Sequence, residues 1–129
     1  MSVVFADAFY FVARVNRRDQ HHERVLAFSH SFRAHLLTTD CVVMEVADAL
    51  AKSECRPRVQ DFVFHLRQSA VCEIIPASRE LMDRALDLYH QRRDKEWTLT
   101  DCVSFVVMRE RGIVAGLTED HHFEQAQTS

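Results

Sequence analysis

The sequence has few residues that interrupt regular structure: only two of its 129 residues are glycine and two are proline. Because glycine and proline mark turns and loops, their scarcity predicts short connections between closely spaced elements. The hydrophobic fraction of 47% is typical of a folded globular chain and excludes an intrinsically disordered one. The length suits one domain with a substantial core, so we expect a single domain over residues 1–129.

The chain also lacks a long apolar segment and an excess of positive charge. No apolar run approaches membrane-spanning length. Residues 3–5 are too short for the hydrophobic region of a signal peptide, and Asp7 interrupts them. We therefore expect a cytoplasmic protein without a membrane partner. The net charge of −3 argues against nucleic-acid binding through bulk positive potential, but it leaves nucleic acid open as a substrate.

The cysteines do not have the spacing of a zinc site. Cys41, Cys55, Cys72 and Cys102 include no C-x-x-C pair and no companion histidine pattern. Neither a structural zinc ion nor a disulfide framework is supported by this distribution. We expect four free thiols, buried as small apolar groups.

Short apolar segments alternate with helical patterns along the chain. Strands are predicted at residues 3–6, 36–38, 71–75 and 113–117, and helices at about 8–15, 21–35, 40–51, 57–69, 78–92 and 100–111. This alternation predicts an α/β fold in which helices cover both faces of a parallel sheet. In such sheets, functional sites form beyond the carboxyl ends of the strands.

Four acidic residues stand at the edges of apolar segments: Asp7, Glu45, Asp101 and Asp120. A carboxylate beside a core loses hydration, which is unfavourable unless something compensates it. Asp7 and Asp120 follow the first and last predicted strands, and the other two lie near the starts of helices. One sheet edge could therefore collect all four, with Mg²⁺ or Mn²⁺ offsetting their repulsion. The pattern indicates a metal-dependent enzyme that acts on phosphates.

Each of these residues also has a purely structural interpretation. Asp7 could cap the helix that follows it, and Asp101 lies three residues after Thr98, which is the spacing of a capping box. Glu45 could lie on an exposed helix face, and Asp120 in a turn. These interpretations do not explain why all four flank core elements at one predicted sheet edge.

Four segments, FADAFYF, TTDCVVMEVADAL, DKEWTLTDCVSFVVMRERGI and GLTEDHHFEQA, occur in an order and spacing that resemble the PIN-domain family. This family comprises small metal-dependent ribonucleases and includes the VapC-type toxins of toxin–antitoxin modules. The resemblance covers residues 3–126. It implies a three-layer α/β/α sandwich with a central parallel sheet of four or five strands, and commonly a homodimer.

The resemblance places the family's catalytic acidic residues at Asp7, Glu45, Asp101 and Asp120. It implies that Asp7, Asp101 and Asp120 bind Mg²⁺ or Mn²⁺ and that Glu45 binds the metal through water or orients the nucleophile. The metal would polarise a phosphodiester oxygen of RNA and activate a water for in-line attack.

The resemblance also implies three residues that contact the substrate or support the acidic residues: Ser104, Thr118 and Glu119. Two departures from the family pattern are visible. Ala8 stands where many members have threonine or serine, and the chain stops at Gln127–Ser129, where members continue into a last edge strand. We therefore expect that this C-terminal strand, and any dimer contact it supplies, is absent.

The leading prediction is a Mg²⁺- or Mn²⁺-dependent endoribonuclease, with an antitoxin protein as its partner if it is a toxin. The alternative is a catalytically weak PIN-fold module that binds nucleic acid or protein, with Ala8 and the missing strand as signs of decay. A third interpretation, a nuclease acting on DNA, shares the metal site. Trp97 is predicted to pack in the core rather than to stack on a base.

Overall fold

The computed structural model describes residues 3–31 and 35–117. Helices and strands alternate along these ranges, as the sequence predicts. In chain order the elements are β1 (Val3–Ala6), α1 (Ala8–Val15), α2 (His22–Ser31), β2 (His35–Thr39), α3 (Asp40–Ala49), α4 (Arg56–Gln68), β3 (Cys72–Ile75), α5 (Arg79–Gln91), α6 (Leu99–Glu110) and β4 (Gly116–Leu117).

The four strands form one parallel sheet in the order β3-β2-β1-β4. Phe5 in the central strand β1 pairs with Leu37 of β2 on one side and with Gly116 of β4 on the other. Helices flank this sheet, because parallel strands need crossover connections and the helices supply them. The predicted α/β/α class with a four-stranded parallel sheet is confirmed.

Helix α6 has more buried residues than any other described helix. All eight residues from Asp101 to Met108 are buried, so this helix has almost no solvent-facing side over two turns. Trp97 is 4% exposed, and its ring meets the edge of Phe105 at a centroid distance of 4.8 Å. The helix predicted at about residues 100–111 is therefore a central buried one, and the predicted packing role of Trp97 is confirmed.

Helix boundaries follow from local hydrogen bonds that the sequence signals. The Oγ1 of Thr39 accepts the N–H of Val42 at 3.1 Å and begins α3, and the Oγ of Ser78 accepts the N–H of Leu81 at 3.1 Å and begins α5. Gly112 has φ of +65° just after α6, a conformation that favours glycine.

Two predicted boundaries are wrong. The helix predicted to reach His35 ends at Ser31, and His35 instead pairs with Val3 as the first residue of β2. Residues 32–34 lie outside the described ranges. The last predicted strand is reduced to two residues, because the N–H of Ile113 still bonds to the carbonyl of Met108 at the end of α6.

The four cysteines are free thiols, as predicted, although only Cys55 and Cys102 are buried and the other two are half-buried. In the part of the chain that the structure describes, no helix is both long and apolar enough to cross a membrane. The predicted absence of a C-terminal edge strand falls on residues 118–129, which lie outside the described ranges.

Candidate active site

The topology brings Asp7 and Asp101 to the same edge of the sheet. Asp7 directly follows β1 and therefore lies at the carboxyl end of that strand. A short connection joins α6 to β4, which runs parallel to β1. Consequently α6 runs opposite to the strands, and its first turn, which contains Asp101, returns to the carboxyl edge.

Glu45 approaches this edge from a third element. Helix α3 begins directly after β2, and Glu45 is its sixth residue, about one and a half turns from the edge. Its side chain is half-buried. Glu45 therefore does not lie on an exposed helix face, contrary to its purely structural interpretation.

Asp7 occupies the N-cap position of α1 without capping it. Its backbone is extended, with φ −91° and ψ 172°. Asp7 is only 7% exposed, yet its side chain accepts no capping hydrogen bond. Aspartate at this position normally accepts an N–H of the first helical turn. The purely structural interpretation of Asp7 as a helix cap is therefore wrong.

Asp101 forms the capping box that its spacing from Thr98 predicts. The N–H of Thr98 donates to Oδ2 of Asp101, and the N–H of Asp101 donates to Oγ1 of Thr98, each at 3.0 Å. This interpretation is confirmed, but it does not exclude metal binding. An ionised carboxylate has about four acceptor positions, and the capping box uses one of them while it fixes the orientation of the group.

Of the three predicted supporting residues, the structure describes only Ser104. Ser104 is fully buried, and its hydroxyl donates to the carbonyl of Thr100 at 3.2 Å, one turn earlier in the same helix. Thr118, Glu119 and Asp120 lie outside the described residues. The chain reaches them from Leu117, whose carbonyl accepts the backbone N–H of Asp7 at 3.4 Å.

Two cysteine thiols near this edge have raised pKa values. Burial, and after it the charge of Asp101, raises the pKa of Cys102 to about 11. Burial also raises the pKa of Cys41, with further contributions from Asp40 and Glu45. Both thiols therefore stay protonated near neutral pH. The N-termini of α1 and α6 add partial positive charge beside Asp7 and Asp101, which lowers the cost of keeping these carboxylates ionised.

Thr38 is a residue of this edge that the sequence does not single out. It is fully buried at the end of β2, and its hydroxyl donates to the carbonyl of Ala6 at 2.9 Å. Ala6 directly precedes Asp7, so this bond holds the backbone from which the carboxylate projects. The signal in the sequence is only a polar residue at the end of an apolar strand, and its partner is 32 residues away.

The donor set suits a hard cation. Among residues 3–31 and 35–117, no three His, Cys, Asp or Glu side chains lie close enough together to hold a metal ion. Mg²⁺ is usually bound through one or two carboxylates and keeps several waters. Asp7 and Asp101 fit that requirement, whereas they do not form the all-protein cage of a structural zinc site.

The sequence model of the PIN domain matches residues 4–128. The chain belongs to the PIN-domain family. Among solved structures, the sarcin–ricin loop cleaving toxin VapC20 of Mycobacterium tuberculosis is 25% identical, with a TM-score of 0.85 over 97% of this chain and 95% of the toxin. The predicted VapC-type PIN domain is thereby confirmed.

A second structure, FitAcB from Neisseria gonorrhoeae, is 16% identical, with a TM-score of 0.65 over 98% of this chain and 94% of the other. At this identity it supports the PIN fold alone. Comparison with curated protein sequences gives no match.

Proposed function

We propose that this PIN domain is a Mg²⁺- or Mn²⁺-dependent endoribonuclease that hydrolyses RNA phosphodiester bonds, and that it is the toxin of a toxin–antitoxin module. The observation that carries the proposal is the burial of the Asp7 carboxylate, 7% exposed, at the carboxyl end of β1. This carboxylate lies at the sheet edge to which the fold also brings Asp101. Burying two acidic groups at one edge is costly for the fold, and metal binding gives a reason to keep them.

Asp7 and Asp101 would hold the metal, together with Asp120, and Glu45 would bind it through water. A bound Mg²⁺ or Mn²⁺ would supply the charge that polarises the scissile phosphate and lowers the pKa of an attacking water. The chain's own contribution is positioning. The capping box orients the Asp101 carboxylate, and the hydrogen bond from Thr38 fixes the end of β1 beside Asp7.

The similarity to VapC20 supports the choice of substrate class. That toxin cleaves the sarcin–ricin loop, so a structured RNA loop with unstacked bases is the substrate class to test first. The inhibitory partner is an antitoxin that covers the acidic edge and pairs a basic side chain with Asp7 or Asp101. The protein acts as a homodimer in the cytoplasm.

One observation favours the alternative, a PIN-fold module with little activity. Ala8, at the position where many members have a hydroxyl, is 8% exposed and is enclosed by the core. No hydroxyl can therefore act from this position. Intact Asp7, Glu45, Asp101 and Asp120 favour activity.

Cleavage of a sarcin–ricin loop hairpin RNA tests the proposal, with a DNA hairpin of the same sequence as the control. We expect cuts in the RNA with Mg²⁺ or Mn²⁺, no cuts in EDTA, and no cuts by Asp7→Asn with either metal. Undiminished cleavage in EDTA would refute the metal mechanism. If RNA binds but is not cut under any of these conditions, the binding module is the better description.

A further inference from the structure

A pocket of about 300 Å³ lies beside Asp7, between the first turn of α1, the middle of α2 and strand β4. We propose that this pocket is a nucleobase subsite, which takes one unstacked base of the RNA next to the scissile phosphate. The inference rests on the proposed ribonuclease function and extends it, because it names residues that select and position the substrate.

The position of the pocket relative to Asp7 is the first argument. Phe9, which lines it, lies two residues after Asp7 in the first turn of α1. Leu117, which lines it from β4, accepts the backbone N–H of Asp7. The pocket and the acidic edge are therefore built on the same two segments, and for this reason we assign the base of a nucleotide whose phosphate is at Asp7 to this pocket.

The walls of the pocket have the chemistry that bases bind. Phe9 and Phe28 are half-buried aromatic residues on two different helices. The ring of Phe9 meets His21 at a centroid distance of 5.1 Å, and that of Phe28 meets Tyr10 at 6.3 Å, both edge to face. These contacts hold the rings in place. Unstacked RNA bases are recognised by stacking on such aromatic side chains.

The rim of the pocket carries a positive charge. Arg24 is exposed and lines the pocket, and its Nη2 lies 3.0 Å from Nδ1 of His21. A guanidinium at this place can contact a base edge or the adjoining phosphate. In a chain of net charge −3, local cations must supply the attraction for RNA. One base-sized cavity with a cation at its rim suits a nucleotide better than a protein helix, which needs a longer groove.

The decisive experiment removes bases from the RNA one at a time. Wild-type protein is given the RNA that it cleaves, with single abasic positions on either side of the cut. We expect one such position to lower kcat/KM by about tenfold or more, the range that base–aromatic stacking supports. In Phe9→Leu, which keeps an apolar side chain but removes the ring face, the same abasic substitution should change kcat/KM less than about threefold.

The matched control is Phe64→Leu. Phe64 is an aromatic residue on α4 that is 59% exposed and does not line the pocket. This variant should keep the wild-type dependence on the base. Melting temperatures of both variants establish that they are folded. If Phe9→Leu retains the full dependence on the base, the pocket is not a base subsite.

A binding measurement separates this inference from the proposed catalysis. Fluorescence anisotropy of a labelled RNA hairpin in EDTA reports binding without cleavage. Arg24→Gln should weaken binding about threefold or more, whereas Arg67→Gln, an exposed arginine on α4, should not. If no RNA is ever cleaved but the base dependence of binding is lost in Phe9→Leu, the proposed function fails and the subsite stands. If the Phe9 and Arg24 variants lose only a protein partner, the pocket belongs to that partner and the inference is wrong.

Discussion

The two edges of the sheet differ in the solvent exposure of their polar side chains. At the carboxyl edge, Asp7, Thr38 and Asp101 are each 7% exposed or less. At the amino edge, Arg111 donates two hydrogen bonds to Glu73, at 3.0 and 2.9 Å, and these side chains are 46% and 57% exposed. Buried polar groups need compensation, while a solvated ion pair is inexpensive and contributes little. The difference distinguishes the carboxyl edge, which carries the candidate site, from the amino edge.

Cavity size alone would point to the wrong edge. The groove at the amino edge encloses about 910 Å³, three times the volume of the pocket beside Asp7. Its surroundings include Val3 and Val114, which are 41% and 74% exposed. Its polar side chains are the mutually paired Glu73 and Arg111, together with the half-buried His35. The smaller pocket is the one that shares its backbone with the acidic residues.

Substitutions of Asp101 should have the largest effects, because this residue is both a proposed metal ligand and a partner in the capping box. They therefore separate the catalytic role from the capping role. Asp101→Asn and Asp101→Ala should each lower RNA cleavage by more than about 100-fold, since even the partners of metal ligands cost 10–100-fold. Asparagine can still accept the N–H of Thr98, so Asp101→Asn should keep its stability. Asp101→Ala should lose about 0.5–2 kcal/mol of unfolding free energy.

Cleavage assays and urea unfolding of the two Asp101 variants check this expectation. Mn²⁺ should raise the melting temperature of the wild type, and should raise that of either variant less. Retained cleavage in Asp101→Asn would show that this residue is only the partner of Thr98.

Thr38→Val tests the support beneath Asp7. Valine has nearly the same shape but cannot donate to the carbonyl of Ala6, which is then left buried with one hydrogen bond fewer. We expect a loss of about 1–3 kcal/mol in unfolding free energy and a fall in cleavage. Thr38→Ser, which keeps the hydroxyl, should recover most of both. Equal behaviour of the two variants in urea unfolding would mean that the hydrogen bond is not what Thr38 contributes.

Glu73→Gln at the opposite edge should have the smallest effect, about 0–1 kcal/mol at neutral pH, because both partners are largely solvated. The hydrogen bond from Arg111 lowers the pKa of Glu73. Its stabilisation is therefore present above the ordinary glutamate pKa and is lost as the pH falls through the lowered value. Unfolding measured from pH 7 to pH 3 should show the wild type and the variant converging in acid. Cleavage at neutral pH should be unchanged.

The parts of the fold that depend on local pattern could be predicted from the sequence. The bounds of β1 and α1 follow from a short apolar run and an adjacent helical one, and both are confirmed. The Thr98–Asp101 box follows from spacing alone. By contrast, β4 is defined only by its pairing with β1, more than 100 residues earlier, and the N–H of Ile113, the first residue of the segment predicted as strand, bonds back to the carbonyl of Met108 in α6.

The sequence singles out Asp7 and Asp101 as candidate site residues, but it does not reveal their local geometry. The spacing of Thr98 and Asp101 predicts the capping box that begins α6, but no local signal shows that the side chain of Asp7 makes no cap at the start of α1. That outcome depends on the position of the carboxylate of Asp7 in the fold. The contact between Thr38 and Ala6 joins two strands, so spacing along the chain does not reveal it.

The pairing of β1 with β4 also determines when the acidic edge can form during synthesis. Phe5 and Asp7 donate backbone hydrogen bonds to Ala115 and Leu117, so one side of β1 stays unpaired until nearly the whole described chain has left the ribosome. Closing such a long loop is among the slow steps of folding. A nascent chain would therefore have no assembled acidic edge until the residues of β4 have been made and have left the ribosome. For an enzyme that cuts RNA, this order of events would delay activity during its own synthesis.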